Sequence, residues 1–231
     1  EYHDLAAEQW EFLTKAHPED AAAGREMGRA WYASGPAGNE KALAALNQSK
    51  KLDSNAADTY GLIGQVYHRF GLYREAGDAY REALNRQPDH VRAIIGLAVI
   101  DAREGRILEA AKPLDALGSA AQPYDIETRI MLRKALYDFE SGRGVFTDDA
   151  EHQSAYAKLL YRAGRLPDAL MAANRAIALK EDDIETLNFL GAMLMQIGQT
   201  VKAQEIYKKS LSIKPDQPNI SAALQQMNTQ K

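Results

Sequence analysis

The 231-residue chain is 45% hydrophobic and 26% charged, with a formal net charge of −4 and no cysteine. The apolar share supports a core, while the charge argues against general attraction to nucleic acid. The lack of cysteine excludes disulfides, a thiolate nucleophile and Cys-ligated metal. No apolar run approaches the roughly 18–20 residues needed to cross a bilayer, so no membrane insertion is expected. The chain opens on Glu1-Tyr2-His3 without an initiator Met, which suggests a processed or trimmed chain, from which a targeting signal could have been removed.

In chain order, helical periodicity predicts a series of helix pairs. Ala6, Trp10, Leu13 and Pro18 have the spacing of a second helix, so the chain is expected to begin mid-repeat, either after a lost first helix or with a lone capping helix. Met27, Gly28, Trp31 and Gly35 mark a first helix, and Ala42 and Leu46 a second. Between them Gly35-Pro36-Ala37-Gly38-Asn39 reads as a widened turn. The clearest pair covers 57–90, through Tyr60, Ile63, Gly64, Tyr67, Gly71, Tyr73, Ala76, Tyr80, Ala83 and Pro88. Small residues at Gly64 and Ala76 let the two helices approach, and Tyr67 and Tyr80 fill the space beside them. Gly71 falls where the first helix must end, and Pro88 closes the second.

A third pair follows at about 91–122, with Ile94, Leu97, Ala98, Gly105, Ala110, Leu114 and Leu117. Next comes a helix over 125–139, with Met131, Leu132 and Ala135 in first-helix positions. There the frame breaks. The next copy (Tyr156, Ala157, Leu160, Gly164, Ala169, Ala173, Ala176) starts about nine residues early. Ser141 to Asp149, with Gly142-Arg143-Gly144, is therefore expected to stand in for a shortened or missing second helix. This divides the chain into an N-terminal sub-array at 1–140, an irregular joint at 141–149 and a C-terminal sub-array at 150–231. Leu187, Leu190, Gly191, Leu194, Gly198, Ala203, Tyr207, Ser210 and Pro215 repeat the frame of 57–90. Beyond them Asn219–Lys231 is expected to be a short solvating helix with Leu224 and Met227 inward.

The thirty-four-residue frame at 57–90 and its second copy resemble the tetratricopeptide repeat, in the manner of bacterial members of that superfamily. The resemblance implies an all-α fold, a right-handed superhelical solenoid of about six stacked antiparallel helix pairs with a C-terminal capping helix. It also implies a non-catalytic scaffold or adaptor that binds a peptide or partner helix in a concave groove lined by the first helices. Carried over by position, the groove would hold Arg25, Arg29 and Tyr32, then Asp58, Gln65, His68 and Arg69, then Arg92 and Arg103. It would continue with Arg129 and Arg133, and with Lys158, Tyr161 and Arg162. The last repeat offers Glu185, Asn188, Met195 and Gln196.

So many Arg residues on one inferred face suggest an acidic or carboxylate-bearing ligand, because the guanidinium fork pairs with a carboxylate through two hydrogen bonds. The alternative is an ordinary mixed polar surface, part-neutralised by Asp58, Glu151 and Glu185. The Lys and Asn pattern of chaperone co-factors that grip acidic tails is absent. Its positions hold Arg25, Arg29, Gly61, Gln65, Ile95 and Val99.

Enzyme chemistry finds no foothold in the sequence. His3, His17, His68, His90 and His152 form no i, i+4 metal pair, and there is no P-loop, HExxH or nucleophile elbow. No catalytic residue, metal or cofactor is expected. Glu181-Asp182-Asp183 lies at a repeat junction, where helix capping accounts for it. The expected partner is a protein or peptide, with an acidic segment as the candidate, in assembly of a bacterial envelope, pilus or secretion complex. Self-assembly into a homo-oligomer, or service as the interaction domain of a larger protein, are the alternatives. Cytoplasm and periplasm both fit.

Overall fold

In the computed structural model the described residues are 2–117, 126–143 and 148–229. They form thirteen α-helices and no strand. These are α1 (Tyr2–Ala16), α2 (Ala21–Ala33), α3 (Asn39–Leu52), α4 (Ala57–Arg69), α5 (Tyr73–Arg86), α6 (Val91–Glu104), α7 (Ile107–Ala116), α8 (Ile126–Arg143), α9 (Ala150–Arg162), α10 (Leu166–Leu179), α11 (Ile184–Gln196), α12 (Thr200–Ile213) and α13 (Pro218–Thr229). Two compact units divide the chain, Glu1–Ile100 and Asp101–Lys231. The fold class is all-α, built of antiparallel helix pairs of the tetratricopeptide type.

Local chemistry sets where the first helices begin. Asp20, Asp149 and Asp183 each accept backbone N–H bonds from the first turn of α2, α9 and α11, satisfying donors that a helix start leaves open. At α6 the cap is a histidine, since His90 Nδ1 accepts from the Ala93 N–H at 3.2 Å. The pairs close through Gly71, Gly105, Gly164 and Gly198, all at φ between 73° and 81°, the left-handed region that glycine enters without a Cβ penalty. The turn of the first pair differs. It is a 3-10 segment, Pro36–Gly38, entered through Gly35 at φ 107°.

In the first unit α2 pairs with α3 and α4 with α5, and α3 packs on α4. Trp31, Ala42, Leu46, Leu62, Ile63 and Val66 form one buried cluster. The Tyr80 ring is fully buried with Gly64 and Gly96 on its two sides, each so close that a methyl group there would overlap it. Against α2, α1 buries Ala7, while Leu5, Phe12 and Leu13 are exposed. Its inward face is thus centred on Ala7, one residue beyond Ala6, and Leu13 is exposed.

In the second unit α9 pairs with α10 and α11 with α12, while α10 packs on α11 and α12 on α13. Met227 of α13 is buried. At the break in the frame α8 is followed directly by α9, with no second helix between them among the described residues. Directly against α7 packs α9, in the way that α4 packs on α3, so α8 lies outside the row of pairs. Fifty-nine residues separate the turn glycines Gly105 and Gly164, one repeat of thirty-four and a further twenty-five that include α8. Ser141 to Arg143 continue α8 as helix, and 144–147 lie outside the described residues.

Candidate functional site

The candidate groove residues fall into several separate groups across the two units. In the first, Arg25 and Arg29 of α2 approach Glu26 at 3.9 and 3.5 Å. Arg69 of α4 lies over the Tyr32 ring at 3.4 Å from its centroid and donates to the Tyr32 carbonyl and to Asn39 Oδ1. That guanidinium ties α4 to the turn of the preceding pair, and Tyr32 is buried beneath it. His68 meets Tyr73 edge-on at 5.1 Å, and Gln65 is half-buried on the same helix.

A second cluster binds successive pairs. Asp58 accepts from His90 Nε2 at 3.0 Å and from Arg92 Nη1 at 3.2 Å. Burial pushes the Asp58 carboxyl up, but the His90 hydrogen bond and the charges of Arg92 and Arg29 outweigh it and hold the group below its usual range.

In the second unit the cations are also engaged from within. Arg103 donates to Asp138 of α8 at 3.0 Å. Lys158 of α9 bridges Asp115 of α7, at 2.9 Å, and Glu185 of α11. Desolvation alone would lower the Lys158 pKa, yet these two carboxylates raise it. Arg162 pairs with Asp115 at 2.6 Å and donates to the Leu114 carbonyl. Tyr161 packs edge-on against Phe189 at 5.4 Å. Between α7 and α9 lies a cleft of about 350 Å³, lined by Lys112, Asp115, Glu151, Ser154, Lys158 and Glu185 among others. Its charges are mixed in sign.

Arg129 and Arg133 stand apart, on α8. Arg129 lies over Gly164, and Arg133 reaches the Gly164 carbonyl at only 3.5 Å. A third feature was not expected from the sequence. Tyr156, Leu160, Met171 and Ala172 line a largely apolar cavity of about 350 Å³ where α8, α9 and α10 meet. At its edge the Tyr156 hydroxyl and Arg165 both donate to Glu140. Burial first, and then the Glu140 contact, push the Tyr156 hydroxyl pKa up. Asp115 and Glu140 escaped the sequence reading because their partners Lys158 and Arg165 lie 43 and 25 residues away, spacings that no repeat supplies. Among the described residues no helix is long and apolar enough to cross a membrane, and no group of three His, Asp or Glu is placed to hold a metal.

This is a repeat protein of helix pairs, whose polar side chains mainly fasten one pair to the next. The tetratricopeptide-repeat family model matches at residues 57–90 and 184–217, so the chain carries tetratricopeptide repeats at those two places. Members of this class are generally interaction modules without catalytic activity. The chain is 38% identical over 63 residues to tetratricopeptide repeat protein 8 of Caenorhabditis elegans, covering 27% of this chain and 12% of that protein. It is 27% identical over 165 residues to cellulose synthase operon protein C of Xanthomonas axonopodis pv. citri, covering 71% of this chain and 10% of that one. It thus spans about a tenth of the length of these curated relatives. Among solved structures it is similar to YrrB, a TPR protein with an unusual peptide-binding site (21% identity, TM-score 0.45, 94% and 98% of the two chains covered). It is also similar to MamA of Desulfovibrio magneticus RS-1 (18% identity, TM-score 0.42, 86% and 97% covered).

Proposed function

We propose that the chain is a non-catalytic scaffold that holds a protein or peptide partner against the exposed faces of its first helices. The observation that carries this reading is the repeated helix-pair frame at 57–90 and 184–217. Such pairs expose one helix face per repeat at regular intervals, which suits an extended ligand. The faces concerned carry Arg29 and Gln65 in the first unit and Tyr161 in the second. Because Arg69, Arg103, Lys158 and Arg162 already have internal partners, an acidic ligand would draw on the remaining cations. The likeness to a bacterial cellulose synthase operon protein favours a role in assembling a bacterial envelope, pilus or secretion complex, with this chain as one interaction domain of a larger protein.

Affinity capture from source-cell extract tests the reading, comparing the wild type with the double variant Arg29→Glu, Gln65→Glu. A partner lost from the variant supports the first-helix faces. One retained by both moves the site elsewhere.

A second reading, self-assembly, is favoured by α1, where Phe12 is 74% and Leu5 57% exposed. Light scattering at two concentrations separates them, because an adaptor of this kind stays monomeric.

A further inference from the structure

We infer that α8 is a second docking surface, and that its occupant is an acidic amphipathic helix of a partner protein. This rests on the protein-binding reading above but uses a different face of the molecule. One side of α8 is committed to the fold: Leu132, Ala135 and Leu136 are buried, and Asp138 and Glu140 are held by Arg103 and Arg165. The opposite side carries Ile130, Lys134 and Tyr137, and Arg129 and Arg133 are exposed along its flank. Ile130 is 61% and Tyr137 65% exposed, large apolar side chains that a water-facing helix does not need.

The pattern defines the ligand. Ile130 and Tyr137 stand seven residues apart on one stripe, about 10 Å at the rise of an α-helix. Between and beside them lie three cations, with no exposed carboxylate on the stripe among the described side chains. Arg129 and Arg133, one turn apart, flank a depression of about 180 Å³ completed by Ile130 and Ala163. A carboxylate side chain entering it would meet two guanidinium groups with its methylenes against Ile130. A partner helix with apolar residues at i and i+7 and carboxylates at i+3 and i+4 matches this stripe in both spacing and charge. The exposed apolar pair Ile130 and Tyr137 favours a partner with an apolar helix face over nucleic acid.

The test uses the whole chain and a fluorescent synthetic helix carrying Leu at i and i+7 with Glu between, followed by anisotropy at low salt. Saturable binding is expected, weakened about tenfold or more by the Arg129→Glu, Arg133→Glu pair, by Ile130→Asp with Tyr137→Asp, and by replacing the peptide's Glu with Gln. Unchanged circular dichroism and melting of each variant show that the fold persists. The first-helix variant Arg29→Glu, Gln65→Glu should bind the peptide as the wild type does, so the two surfaces fail or stand separately. The proposal is overturned by absence of saturable binding, by equal affinity of the α8 variants, or by binding that follows duplex DNA or anionic vesicles instead of the peptide.

Discussion

Asp58 and His90, on successive helix pairs, share a 3.0 Å hydrogen bond in which the imidazole has only one workable tautomer. Nδ1 accepts from the Ala93 N–H, so the neutral ring carries its proton on Nε2 and donates it to Asp58. One side chain thereby caps α6 and fastens it to α4.

Removal of the carboxylate should separate these roles. Asp58→Ala leaves the buried His90 Nε2–H without its acceptor and should cost about 1–3 kcal/mol. Asp58→Asn keeps an acceptor and loses only a half-exposed charge, a change of about 1 kcal/mol or less. The Asp58 pKa is depressed by folding, so its stabilisation is present above the unfolded value of about 4 and is lost as pH falls through the folded value. Urea midpoints at pH 7 and pH 3 should therefore differ less in Asp58→Asn than in the wild type.

Asp115 and Arg162, 2.6 Å apart, report the packing of α7 on α9. A double-mutant cycle with Asp115→Asn and Arg162→Gln should show a coupling of about 1 kcal/mol, since Arg162 is only 13% exposed. A coupling of zero would mean that α9 does not take the place beside α7.

Two glycines one helix apart should respond oppositely to alanine. At Gly96 a methyl group would overlap the Tyr80 ring, and overpacking costs about 1–3 kcal/mol, more than the helix-propensity gain of about 1 kcal/mol. At Gly77 the nearest foreign atoms are the Arg81 guanidinium at 3.5 Å, an ordinary contact. Gly96→Ala should lower the denaturation midpoint and Gly77→Ala should raise it.

The repeat frame was legible because a few positions admit only certain sizes: Gly64, Gly96 and Gly191 face tyrosine rings, and Gly71, Gly105, Gly164 and Gly198 need positive φ. The place of α8 was not legible. Met131, Leu132 and Ala135 announce an apolar face, but periodicity says nothing about which neighbour covers it. Charge pairing followed the same rule. Asp58 and Arg92 are thirty-four residues apart, one repeat, and so could be read as neighbours. Asp115 and Lys158 are forty-three apart, a spacing created by the insertion, so Lys158 and Arg162 looked available for a ligand when they are occupied within the fold. Arg129 and Arg133 were singled out for their charge, while Ile130, Lys134 and Tyr137 beside them stood out only once the helix was seen to present them.

Site-specific photo-cross-linking tests partner binding most directly. A photoreactive phenylalanine analogue is placed singly at Arg29, Tyr137 and Val201, the last an exposed residue on α12, and irradiated in source-cell extract. Adducts with another polypeptide are expected at Arg29 and Tyr137 and none at Val201. Adducts confined to Val201, or formed only between copies of this chain, would contradict a scaffold that binds through its first helices and α8.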